Sequence, residues 1–123
     1  MNSPWLLPFW IALGAIPGAL ARHYLIILFT EKLGTNFPFG TFFVNLSGSV
    51  LMGFSVTLID KNIPWLNGLI IVGFIASYTT FSTYVLDTSK LGQQKRYASA
   101  LIYFIGSPLG GLLGLKLGIF LAG

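Results

Sequence analysis

Charged residues divide the chain into four long uncharged stretches rich in apolar residues. No Lys, Arg, Asp or Glu lies in 1–21, 33–59, 62–86 or 97–115. Each stretch is long enough for a helix of about 20 residues that crosses the hydrocarbon core of a membrane. The pattern therefore predicts an all-α integral membrane protein of four helices, at about 4–29, 40–59, 65–88 and 97–122.

The predicted connections are short and leave little protein outside the bilayer. They lie around 31–32, 60–61 and 90–96, where most of the charged residues occur. We therefore expect one transmembrane domain over 1–123 whose function takes place inside the membrane. Because 1–21 contains no basic residue and exceeds the length of a signal-peptide core, we expect the first helix to be retained.

Composition supports the membrane class. The chain has 123 residues, of which 54% are hydrophobic and 8% are charged, whereas soluble domains have roughly 25% charged residues. The absence of cysteine excludes disulfides, thiol catalysis and cysteine metal sites. No nucleophile and base are suggested by the sequence, so we do not expect an enzyme.

The net charge of +4 is better explained by lipid and topology than by nucleic acid, because the basic residues lie at helix ends and connections. Most of them, including Arg22, belong with the first and third connections. The positive-inside rule then places both termini outside. A chain that inserts in both orientations is expected to have a smaller bias.

Small residues recur at intervals of four on two helices. Gly14 and Gly18 lie on the first, and the last carries Gly106, Gly110, Gly114 and Gly118. Such faces allow backbones to approach closely. The sequence leaves open whether they pack within one chain or between subunits.

Few residues inside the predicted helices could carry chemistry. The carboxylates Glu31, Asp60 and Asp87 lie at or near helix ends, so a proton-coupled exporter lacks its intramembrane acid. His23, near a helix end, is interpreted as an interfacial anchor. Asn45 lies within the second helix, where its amide needs partners. A pore-facing role and a helix-bridging role are both open for this residue.

Five hydroxyl residues lie within seven positions of the third helix: Ser77, Thr79, Thr80, Ser82 and Thr83. Serine and threonine side chains compete for backbone hydrogen bonds, so this cluster predicts a break in the helix. Irregular backbone at membrane depth must be buried in protein or line a wet cavity, and its freed carbonyls can bind a small cation.

Three segments together resemble the Fluc (CrcB) family of fluoride channels over nearly the whole chain. They are GAIPGALAR at 14–22, GTFFVN at 40–45 and TTFST at 79–83. The resemblance implies an antiparallel, dual-topology dimer with two fluoride pathways, an aromatic box and a structural sodium ion at the dimer centre. It also implies passive export of fluoride across a bacterial or archaeal plasma membrane.

The resemblance assigns roles to particular residues. The fluoride pathway would contain Asn45, Phe81, Ser82, Thr83, Tyr84, Tyr103 and Ser107. Arg22 would attract anions into a vestibule, and the main-chain carbonyls of Ala76 and Thr79 would bind sodium. Fluoride is small and strongly hydrated, so uncharged donors and the positive edge of an aromatic ring are suitable partners for it.

Two positions depart from the family pattern. Tyr84 stands where the family has its second box phenylalanine, and Ala76-Ser77 replaces a glycine-rich turn. A homodimer is expected, but the charge bias and Tyr84 also suit one subunit of a heterodimer that does not conduct alone. A small multidrug-type exporter, without its first-helix glutamate, and a membrane assembly factor or holin are the competing hypotheses.

Overall fold

The structure, a computed structural model, describes residues 3–123 and is helical throughout, with no strand in that range. Met1 and Asn2 of the predicted domain lie outside the described residues. The helices are α1 (Leu7–Leu33), α2 (Phe39–Leu58), α3 (Pro64–Asn67), a π-helical segment (Gly68–Ile75), α4 (Ala76–Tyr78), α5 (Ser82–Gln93) and α6 (Tyr97–Ala122). The prediction of four spans is confirmed, since α1, α2, Pro64–Gln93 and α6 are each long and apolar enough to cross a membrane.

Two connections are shorter than predicted. Glu31 and Lys32 lie in the last turn of α1, because that helix ends only where Gly34 adopts a φ of 80° and its N–H bonds to the carbonyl of Thr30. A positive φ is easily adopted by glycine and commonly ends a helix. Similarly, α5 continues to Gln93, and Lys95, with a φ of 59°, lies in the turn before α6.

The first helix packs closely against the π-helical segment. A Cβ added to Gly14 would overlap the main-chain carbonyl of Leu69, and one added to Gly18 would overlap that of Phe74. The small face of α1 is therefore occupied within the chain. The π-helix itself is unusual, because such helices mostly occur as single turns inside α-helices.

The second and last helices make the other close pair. A Cβ at Gly118 would overlap the carbonyl of Val50 in α2, and one at Gly53 would overlap the carbonyl of Leu115 in α6. A Cβ at Gly106, by contrast, would meet nothing within 4 Å. The glycine repeat of α6 thus serves packing within the chain toward its C-terminal end.

The buried apolar core of the described residues is small. It consists of Val44, Ile75, Tyr78, Tyr84, Leu91 and Tyr103. Most large apolar side chains on α1 and α6 are exposed, as expected where lipid is the solvent. The buried rings of Tyr84 in α5 and Tyr103 in α6 pack together and join these two helices. This contact fixes the position of α5 and of residues 79–81 directly before it.

Candidate functional site

The candidate site is built around three residues between α4 and α5 that belong to no helix. Thr79 is extended, with φ −81° and ψ 161°, and Thr80 and Phe81 follow it before α5 begins at Ser82. We call 79–81 the interruption. It divides the third span into two helical parts.

Asn45 of α2 binds the interruption with both ends of its amide. Its Nδ2 donates to the carbonyl of Thr80 at 2.9 Å, and its Oδ1 accepts from the N–H of Thr80 at 2.8 Å. The two hydrogen bonds satisfy main-chain groups that have left the helical pattern. Asn45 therefore bridges α2 and the third span. It also lines the cavity that is described below.

Threonine hydroxyls supply further local partners. The Thr79 hydroxyl donates to the carbonyl of Ile75 at 3.1 Å. The hydroxyl oxygen of Thr80 accepts from the N–H of Thr83 at 3.3 Å and lies 3.3 Å from the Thr83 hydroxyl. Thr80 thus caps the first turn of α5, a role that hydroxyl side chains commonly take at helix starts.

The interruption also leaves main-chain carbonyls without helical partners. In a continuous helix the N–H of Thr80 would bond to the carbonyl of Ala76, but here it bonds to Asn45. Among the described residues, the Ala76 carbonyl receives only the Thr79 hydroxyl, at the long distance of 3.5 Å. Ala76 as a residue is exposed.

A cavity of about 480 Å³ lies between α2, the interruption and α6, and we call it the central groove. Its lining includes Asn45, Ser49, Thr79, Thr80, Phe81, Tyr84 and Ser107, and none of its lining residues is charged. The Ser107 hydroxyl is buried and has no hydrogen-bond partner among the described residues. The ring of Phe81 is 75% exposed. The groove thus combines uncharged polar groups with an open aromatic ring.

An aromatic cluster forms the wall behind Phe81. The Tyr84 ring centroid lies 5.9 Å from that of Phe81 and 5.3 Å from that of Tyr103. Tyr103 is fully buried, lies outside the groove lining, and donates to Asp87 at 3.4 Å. The structure therefore brings Phe81, Tyr84 and Tyr103 together but leaves only the first two on the groove.

Two further cavities are lined in part by Thr83 of α5, and one of them also by Thr80 of the interruption. One, of about 560 Å³, is lined by Arg22, His23, Thr80, Ser82 and Thr83, together with two isoleucines. The other, of about 320 Å³, has polar lining that includes Thr30, Thr41, Thr83, Asp87 and Lys90. Thr80 lines both the central groove and the 560 Å³ cavity, and Thr83 lines both the 560 Å³ and the 320 Å³ cavities. Apart from Ala76 and Tyr103, the predicted site residues therefore line one series of neighbouring cavities.

Comparison with known proteins decides the family. The model of the family described as "CrcB-like protein, Camphor Resistance (CrcB)" matches residues 9–119. This chain belongs to the CrcB family. The resemblance inferred from the three sequence segments is therefore confirmed.

Relatives cover almost the whole of this CrcB chain. A protein of Synechococcus sp. (strain JA-2-3B'a(2-13)) is 51% identical over 99% of this chain and 97% of its own length. One from Trichormus variabilis is 42% identical over 93% of this chain and 86% of its own. One from Helicobacter pylori (strain J99) is 38% identical over 92% and 90%. Each bears the name fluoride-specific ion channel FluC.

Sequence reasoning assigned no site role to Thr41 or Asp87, although both line the 320 Å³ cavity. Asp87 was placed near a helix end, but α5 continues beyond it and carries its carboxylate to Tyr103. A signal was present, because Asp87 follows Tyr84 by three residues and such pairs share a helix face.

Proposed function

We propose that this chain forms a fluoride-selective ion channel, and not an enzyme, that lets fluoride leave the cell passively. The family and the names of the relatives support this function. The structural observation that carries it is the central groove, which offers hydrogen-bond donors and an exposed aromatic ring without any charged residue. Four spanning helices and bacterial relatives place the protein in the plasma membrane as a multi-pass protein.

Uncharged groups suit an anion that must both bind and leave. Fluoride enters hydrocarbon only when donors replace its water, yet a fixed positive charge would hold it too tightly for rapid passage. Asn45 uses one of its two Nδ2 hydrogens on Thr80, which leaves the second for the groove. The positive edge of the Phe81 ring is a second partner. Ser107 lines the same groove, and its hydroxyl oxygen is buried within the single chain.

The remaining predicted residues have roles along the route. Arg22 raises the local anion concentration in the cavity that it shares with Ser82 and Thr83. Those two hydroxyl residues follow the interruption directly along the chain and line that cavity. Tyr84 supplies the second ring of the box, and Tyr103 supports Tyr84 from behind rather than contacting the ion.

We further propose that two copies associate antiparallel with their grooves facing each other. Polar groups exposed at membrane depth need protein or water to cover them, and one copy leaves the groove open. We also propose that the interruption is the expected break in the third helix. The main-chain carbonyl oxygens beside the interruption also suit sodium, since hard cations prefer oxygen ligands. The carbonyls of Ala76 and Thr79 would hold the ion, and two carbonyls from one chain require a second chain to complete the shell.

The proton-coupled exporter is not favoured by the site. Such a protein needs a carboxylate that alternates between proton and substrate inside the membrane. No carboxylate lines the central groove, and Glu31 lies exposed in the last turn of α1.

Fluoride efflux from liposomes that contain the purified protein tests the channel function. We expect rapid, uncoupled efflux, measured with a fluoride electrode, and exclusion of chloride. Phe81→Ala should lower the rate at least tenfold, because it removes the ring that faces the ion.

Phe120→Ala is the matched control, since Phe120 is 78% exposed on α6 and lies outside the groove. It should conduct like the parent chain. Equal flux in the Phe81 and Phe120 variants would refute the role of Phe81, and no fluoride flux from the folded parent dimer would refute the channel function.

A further inference from the structure

The hydroxyl of Tyr84 points to α6 and not into the central groove. It donates a hydrogen bond to the main-chain carbonyl of Phe104, a residue outside the groove lining. The two rings are stacked, with centroids 5.9 Å apart and planes 7° from parallel. Only 8% of Tyr84 is exposed. The atom that distinguishes this tyrosine from phenylalanine is therefore used inside the chain.

The acceptor is a carbonyl that proline leaves without its helical partner. In an α-helix a carbonyl accepts from the N–H four residues later, which for Phe104 is position 108. Pro108 lies inside α6 and has no N–H to donate. In hydrocarbon an unpaired main-chain carbonyl is costly, so a side-chain donor at this place has a clear physical benefit.

We propose that Tyr84 is a positioning residue whose hydroxyl replaces the backbone hydrogen bond lost at Pro108. The bond joins α5 to α6 and holds the ring at the second aromatic position of the pathway. It also keeps the hydroxyl away from the ion, so tyrosine presents the same ring edge there as phenylalanine. This last consequence rests on the proposed channel function, whereas the hydrogen bond itself does not.

The inference removes one of the two reasons to regard this chain as half of a heterodimer, and the charge bias is the other. Tyr84 would add a donor to the narrow part of the route only if its hydroxyl were free. Because that hydroxyl is bound to Phe104, both copies in a homodimer have equivalent pathways.

A double-mutant cycle on the full chain in detergent tests the bond. Tyr84→Phe should lower the thermal unfolding midpoint by several degrees. In the Pro108→Ala background the N–H restored at position 108 can serve the Phe104 carbonyl, so the same change should cost much less. Tyr24→Phe is the matched control, because Tyr24 is 66% exposed on α1, and it should leave the midpoint unchanged. An equal loss in both backgrounds would overturn the proposal.

Carbonyl NMR provides a second, independent measurement. The sequence contains two Phe-Ile pairs, at 74–75 and 104–105, so labelling Phe with ¹³C at the carbonyl and Ile with ¹⁵N selects two signals. Tyr84→Phe should move the Phe104 signal upfield, as expected for loss of a hydrogen bond, and leave that of Phe74 in place. An unmoved Phe104 signal would also overturn the proposal.

These measurements do not depend on ion conduction. If Tyr84→Phe fails to fold alone, folding of the double variant with Pro108→Ala supports the bond, and its failure to fold contradicts it. Absence of fluoride flux from the parent chain, measured separately, would refute the proposed function without touching this result.

Discussion

At the scale of single residues, Asn45 shows how one side chain can hold the backbone and face a cavity. Its amide makes two hydrogen bonds with Thr80, thirty-five positions along the chain, and it also lines the central groove. The sequence left a bridging role and a pore role open. Only the tertiary contact reveals the bridge, since no local pattern links these two residues.

Asn45→Ala should weaken both the fold and the flux. The change leaves the N–H and the carbonyl of Thr80 without partners, and each buried unsatisfied group costs about 1–3 kcal/mol. We expect a lower thermal midpoint together with reduced fluoride efflux. Asn62→Ala, at an exposed position in the connection after α2, is the control and should change neither. A thermal midpoint equal to that of the parent chain would show that the two hydrogen bonds of Asn45 do not stabilise the fold.

The residues of the site were more predictable than their partners. The hydroxyl cluster and Asn45 could be selected because polar groups are expensive in a membrane, whereas Phe81 was assigned its role only by the family motif. The partner of Tyr84 could not be selected in the same way. Pro108 in a predicted helix indicates that the carbonyl of Phe104 has no N–H donor, but the sequence does not indicate which side chain supplies one.

At the scale of helices, the charge pattern predicted the four spans well and their ends less well. A charged residue does not end a helix, so α1 continues through Glu31 and Lys32 to the residue before Gly34. The π-helical segment Gly68–Ile75 could not be predicted. We attribute this conformation to tertiary packing, since it lies where α1 presents glycines to its backbone.

Glycines of α6 should differ in their tolerance of alanine. Gly118→Ala should lower the thermal midpoint, because its Cβ would overlap the carbonyl of Val50 and overpacking costs about 1–3 kcal/mol. Gly106→Ala, on the same helix, meets nothing within 4 Å and should be neutral or slightly stabilising. Thermal unfolding of the two variants side by side checks this. Equal changes of the midpoint in the two variants would show that the contact between Gly118 and α2 does not determine the result.

At the scale of the whole molecule, the central groove is an open surface of the single chain. Ala76, just before the interruption, is also exposed. A second copy of the chain, as proposed above, would cover both. The orientation of that copy and the topology of the termini remain predictions from the sequence.

The purified chain should therefore assemble and conduct without a second gene product. We expect native mass spectrometry to give twice the chain mass and the same sample to pass fluoride in liposomes. Lys61→Ala, at an exposed position in the connection after α2, is a suitable control, because it alters surface charge away from the groove. A folded dimer that passes no fluoride until a homologous chain is added would establish the heterodimer instead.

The closest helix contacts in this fold are made by glycines against main-chain carbonyls, as at Gly14, Gly18, Gly53 and Gly118. A carbonyl is chemically the same whichever residue carries it, so the opposing positions can change their side chains without disturbing the contact. These four glycine positions therefore admit no enlargement, whereas the side chains at the opposing positions, Leu69, Phe74, Leu115 and Val50, can vary. The sequence of these helices can change at such places while the distance between their backbones is preserved.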